Sequence, residues 1–281
     1  MNFFRAPATL EGVNKIHVSP FLNKSGSSGL PNNTALLSRD ELSATATETY
    51  VSAEITFSGY IDYGFLLQDL REAYFDIDAS FSANLGLALN VTVPFSYKFD
   101  YPIPGLSWGF LHISDMLEVG PTVEFKIGVD VGVDVPVSVE TDISLEIHDG
   151  HIHLDLLHED QSYAENWQPQ HTSSVNISVQ DAVMHVSPYL DFTTEFSLDF
   201  FGLDLGCGIT AEPKFSNEFV VPTEEDNGGH GRSLSKEGLT CTNGSEFHSK
   251  LQFSIFAFAT QFYNKELYHI EQPIEDGCLP L

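Results

Sequence analysis

From Phe75 to Ile103 every odd position is apolar or aromatic, and the even positions are mostly polar or small. A helix would scatter these side chains around its axis, whereas a strand puts one set on each face. At ~3.3 Å per residue the whole run in one strand would be roughly 95 Å long. A break is therefore expected near Gly86, Pro94 or a loop of odd length, because a two-residue hairpin would reverse the parity. The stretch from Ile127 to Ile147 repeats the pattern, with Thr141 as its exception. Asp149-Gly150 then offers a turn signal, and the parity flips to Ile152, Leu154 and Leu156. Together these predict a hairpin in which His148 opposes His151 and Glu146 opposes His153. Further strands are expected at 50–58, 60–67, 174–180, 183–200, 203–215 and 249–260, with one short helical stretch at 66–73.

Many one-faced strands without intervening helices define an all-β chain in which apolar faces pack in pairs. The expected architecture is a large antiparallel β-sandwich with long strands; a closed barrel or a tube-like lipid-binding β fold is the alternative. Residues 1–48, with Ser-Gly-Ser-Ser-Gly at 25–29, read as a flexible tether. Residues 49–281 read as a single all-β domain with a mobile loop at about 222–246.

Charge narrows the partners. The chain holds 12 Lys and Arg against 40 Asp and Glu, a net charge of -28. Within 72–213 only Lys98 and Lys126 are basic. Phosphate backbones and anionic lipid reward basic surfaces, so nucleic acid and charged membrane are excluded as partners. The longest apolar stretch, near 253–259, is far short of the ~20 residues of a spanning helix, so no membrane span is expected.

Five N-x-Ser/Thr sequons, at Asn23, Asn32, Asn90, Asn176 and Asn243, point to an exported glycoprotein at the cell surface or beyond. No apolar h-region follows Met1, so export implies a start upstream of the given chain. Of the three cysteines, Cys241 and Cys278 flank the last strand-like block in polar contexts and are the candidate disulfide. Cys207, at an apolar parity, reads as a small buried hydrophobe.

Candidate chemistry gathers at 146–171. Glu146, His148, His151 and His153 would share the polar face of the expected hairpin, where a divalent metal such as zinc is the candidate ligand; otherwise no cofactor is expected. Tyr163 and Trp167, with His158 and Glu165, suit stacking and hydrogen bonding to a sugar or a protein partner. The opposing reading has Trp167 folding back onto its own sheet. No nucleophile elbow, zinc-protease helix, phosphate loop or dinucleotide fingerprint is present, and no catalytic residue is assigned.

Val51-Ser-Ala-Glu-Ile-Thr-Phe57, Asp100-Tyr-Pro-Ile-Pro-Gly-Leu-Ser-Trp108, Glu118-Val-Gly-Pro-Thr-Val123 and Thr260-Gln-Phe-Tyr-Asn-Lys-Glu-Leu-Tyr268 resemble a β-rich domain of unknown function found near the C-terminus of extracellular fungal proteins. The resemblance covers about 49–281 and carries no site residues. It implies secretion, a place at the cell surface or wall, and a region upstream. The functional expectation is a secreted, non-catalytic module of a fungal cell-surface or cell-wall protein, serving adhesion or contact with a glycan or surface protein. A polysaccharide- or ester-directed hydrolase and an extracellular lipid-binding protein are the alternatives.

Overall fold

The computed structural model describes residues 15–19, 21–64, 69–103, 112–113, 117–178, 183–200, 203–220, 244–259 and 263–280. Two antiparallel sheets account for nearly all of them. Sheet A is built from β1 (Lys15–Val18), β2 (Phe21–Leu30), β3 (Thr34–Ser38), β4 (Leu42–Gly64), β5 (Asp69–Val91), β9 (Val137–Asp155), β10 (Tyr163–Glu165) and β11 (Gln170–Ile177). Sheet B is built from β6 (Phe95–Pro102), β7 (His112–Ile113), β8 (Leu117–Val133), β12 (Met184–Phe200), β13 (Leu203–Val220), β14 (Gly244–Ala259) and β15 (Tyr263–Pro280). In sheet A, β1, β2 and β3 succeed one another along one edge of β4, followed by β5 and β9, with β10 and β11 sharing the far edge of β9. Sheet B runs β15-β14-β13-β12-β8-β6. Among the described residues no pairing joins the two sheets into a barrel, so the fold is a sandwich.

The alternation builds the core. Phe75, Ile77, Leu85, Leu87 and Leu89 of β5 face Ile127, Val129, Leu190, Phe253 and Ile255 in one buried layer. The expected break in the long run falls at 92–94, where the chain leaves sheet A at Val91 and enters sheet B at Phe95. A second crossing, at 134–136, returns it from Val133 to Val137. The crossings lie side by side, since Val91 pairs with Val137 and Phe95 with Val133. A crossing between facing sheets keeps odd residues inward on both sides, so the sequence shows one unbroken parity across two strands.

Three expectations are corrected. Residues 15–48 are mostly strand, not tether: β1, β2, β3 and the start of β4 lie here, and Leu36, Leu42, Ala44 and Ala46 are buried. The Ser-Gly run pairs with β4 through main-chain bonds that ask little of side chains. Of the stretch 66–73 expected to be helical, residues 69–73 continue β5 as strand, and 66–68 lie outside the described residues. Asp149-Gly150 is not a hairpin turn, because β9 runs on beside β5 with Ala79 opposite Gly150 and Phe81 opposite Ile147. The residues between form a β-bulge, with Asp149 in the left-handed region at φ 55 and its N–H donated to Ser80 Oγ. An extra residue flips parity just as a turn does.

The sheets are also tied at their flanks. Arg39 donates to the Tyr97 hydroxyl at 2.6 Å with its guanidinium 4.2 Å from the ring centre, and Lys265 donates to the Glu159 carbonyl at 2.8 Å. Cys207 is a buried free thiol, as expected, and burial pushes its pKa up. Cys241 and the segment 221–243 lie outside the described residues.

On the outer face of sheet B, Tyr189 lies flat over Gly128, donates its hydroxyl to Asp100 and carries Lys98 4.5 Å above its ring. Burial, then the Asp100 bond and charge, raise the phenol well above its ordinary pKa. A Cβ on Gly128 would occupy the space of the Tyr189 ring. Gly128→Ala is expected to lower stability by about 1–3 kcal/mol through overpacking, and Gly128→Ala in a Tyr189→Ala background to lower it far less. Urea melts of the four proteins measure the coupling, and equal losses in both backgrounds would refute the contact.

Candidate recognition site

The bulge in β9 decides what faces solvent. Before it, the even residues Glu140, Asp142, Ser144 and Glu146 point outward; after it, the odd residues His151, His153 and Asp155 do. Without the extra residue, Ile152 and Leu154 would be wet and both imidazoles buried. Gly150 and Trp167 hold the bulge in place. A Cβ on Gly150 would come within 2.8 Å of the Trp167 ring, and the indole N–H is donated to the His151 carbonyl at 2.9 Å.

The outward residues of β5, β9 and β10 then meet in register. Asp76 stands opposite His153, itself opposite Tyr163; Asp78 stands opposite His151, itself opposite Glu165. Asp78 Oδ1 lies 2.7 Å from His151 Nδ1, Asp76 Oδ1 lies 2.7 Å from His153 Nδ1, and Asp76 Oδ1 is also 4.0 Å from His151 Nε2. The result is a continuous Asp78–His151–Asp76–His153 chain, partly shielded, along two adjacent strands. Each carboxylate orients an imidazole and accepts its proton bond.

Aromatic rings extend the row across four strands. Tyr60 of β4 and Tyr74 of β5 are 5.8 Å apart, Tyr74 and His153 are 5.5 Å apart, and His153 and Tyr163 are 5.4 Å apart, with interplanar angles of 28°, 35° and 25°. His151 also touches Tyr163, at 5.8 Å. Rings in van der Waals contact are ~3.5–4 Å apart, so near-parallel rings with centres this far apart overlap only partly, like tiles. Tyr60, Tyr74 and His153 are half-buried, and Tyr163, at the end of the row, is 46% exposed. Such a surface offers apolar ring faces beside oriented hydrogen-bonding groups.

The residues singled out from sequence separate into groups. His148 pairs with Glu146 at 3.4 Å on an exposed part of the bulge, while His151 and His153 turn to Asp78 and Asp76 on β5. The expected three-imidazole cluster is not assembled. Among the described residues no group of three or more His, Cys, Asp or Glu side chains is placed to hold a metal ion. Tyr163 belongs to the row, and Glu165 is exposed beside it. His158 sits 3.3 Å from Asp155, whose other oxygen accepts the N–H groups of Leu157 and His158; this closes the turn before the short 3-10 helix Glu159–Gln161. Trp167 is 2% exposed and packs 6.2 Å from Phe253 of sheet B, so it belongs to the core and not to the exposed face.

The pairing of Asp76 and Asp78 with the histidines, and the place of Tyr60 and Tyr74 in the row, were not legible because the partners lie far away in sequence. A usable signal existed: Asp76 and Asp78 share an outward parity and an i, i+2 spacing, matching that of His151 and His153.

Asn23, Asn32, Asn90 and Asn176 are all exposed, and Asn243 lies outside the described residues. Cys278, on β15, is not a free thiol. Among the described residues no helix is long and apolar enough to cross a membrane.

Fold and site together define an acidic β-sandwich that displays an aromatic, histidine and carboxylate row on one open sheet face. No family model, no curated protein and no solved structure matches the chain.

Proposed function

We propose that the chain is a secreted, non-catalytic module of a fungal cell-surface or cell-wall protein, contacting a wall glycan through the outer face of sheet A. The observation that carries this reading is the tiled row Tyr60–Tyr74–His153–Tyr163, flanked by Asp76, Asp78 and His151. The net charge of -28 favours a neutral or cationic polymer over a polyanion. Four exposed sequon asparagines support export. A Cys241–Cys278 disulfide belongs to the same reading, since Cys207 is free and Cys278 is not.

The alternatives draw less support. Asp155 is engaged in closing a turn, and Asp76 and Asp78 each hold an imidazole on a flat, open face, where a hydrolase would need to exclude water around its reacting groups. The cavity lined by Ile55, Phe81, Phe125, Trp167 and Phe253 has a volume of about 20 Å³, room for one water. That gives a lipid chain no place beside those residues.

Retention on immobilised chitin, glucan and mannan tests the proposal. Tyr74→Ala and Tyr163→Ala are each expected to weaken binding about tenfold, the effect of losing one anchoring ring. Tyr50→Ala, on the same face but outside the row, should bind as the parent does. Absence of retention on all three glycans, or equal weakening by Tyr50→Ala, would remove the reading. Intact mass of the secreted protein, before and after reduction, checks the disulfide.

A further inference from the structure

Strand β2 brings a sequon and an aromatic ring together. Phe21, Asn23 and Ser25 alternate onto the solvent side of sheet A, opposite Ser58, Thr56 and Glu54 of β4. Asn23-Lys24-Ser25 is a sequon, and the Asn23 Nδ2 donates to Thr56 Oγ1 at 3.0 Å, which fixes the amide on that face. Phe21 is 49% exposed, so one side of its ring is open to solvent on the face that carries Asn23.

Residues two apart on a strand face are ~6.6 Å apart, close enough for a pyranose linked at Nδ2 to lie back across the ring. The other described sequons lack this arrangement: two residues before Asn90 stands Ala88, before Asn176 stands Ser174, and before Asn32 stands Leu30.

We infer that Asn23 carries an N-linked glycan whose first N-acetylglucosamine packs its C–H face on Phe21. The inference rests on the reading of the chain as exported. Nδ2 bonds to the anomeric carbon, the bond from that carbon to a lipid-linked diphosphate donor breaks, and one amide proton departs as the diphosphate leaves. The second amide hydrogen remains for Thr56. The sugar covers the open side of Phe21 and takes apolar area out of water, reinforcing an edge strand half of whose residues are Ser or Gly.

The full chain, given a secretory leader and expressed in a host with N-glycosylation, is mapped for occupancy and melted alongside Phe21→Ala, Asn23→Gln and the double variant. Occupancy at Asn23 is expected. Asn23→Gln should lower Tm by about 2–4 °C in the parent and by a clearly smaller amount in the Phe21→Ala background. The same proteins made without glycosylation should show no such coupling. An empty Asn23 beside filled Asn90 and Asn176 would overturn the inference and leave export standing; five empty sequons would overturn both. Equal Tm losses in the two backgrounds would refute the packing.

Discussion

Trp167→Ala is expected to remove about 3–5 kcal/mol of stability, the range for deleting a large buried aromatic. The indole enters the sandwich between β10 and β11, touches Gly150 and Phe253, and spends its N–H on the His151 carbonyl. Its neighbours already border a cavity of about 20 Å³, so the space left behind adds to an existing void and collapses poorly. The same substitution loosens the bulge that aims His151 and His153 outward, so glycan retention should fall with stability. Trp167→Phe keeps much of the volume while losing the N–H and part of the ring, and should fall between parent and alanine. Urea midpoints of the three proteins check the order. A midpoint for Trp167→Ala within error of the parent would mean that the ring is not buried here.

The period-two pattern carried most of the fold into view. Odd positions at 75–91, 127–133 and 137–147 are buried, apart from the half-buried Phe81, and all but Thr141 are apolar, because a side chain that faces inward from either sheet leaves water. Less was legible where two structures leave the same trace. A parity flip beside Asp-Gly fits a hairpin or a bulge, and only the long-range pairing of β9 with β5 separates them. The edge strand β2 was hidden for a related reason. Its Ser and Gly residues satisfy the ladder through main-chain groups, which leave no mark on composition.

The candidate site was half readable. Histidines at 151 and 153 stood out, but their carboxylate partners arrive from more than seventy residues away. Trp167 was conspicuous as a loop aromatic, and its burial depends on the close approach that Gly150 allows. Local sequence therefore showed which residues could do chemistry, and the strand register showed which of them meet.

The most direct measurement is a paired charge insertion in β9. Ile143 is buried and faces Leu85 across the ladder, while Ser144 faces solvent beside the outward Asp142 and Glu146. Ile143→Lys places an unpaired ammonium in the apolar layer and should cost more than about 4 kcal/mol, enough to leave much of the protein unfolded. Ser144→Lys adds a cation between carboxylates and should stay within about 0.5 kcal/mol of the parent. Urea unfolding of the two variants decides: a large loss for Ile143→Lys with none for Ser144→Lys is the expected result, and similar losses for both, or the reverse order, would contradict the two-sheet core and the outward face built on it.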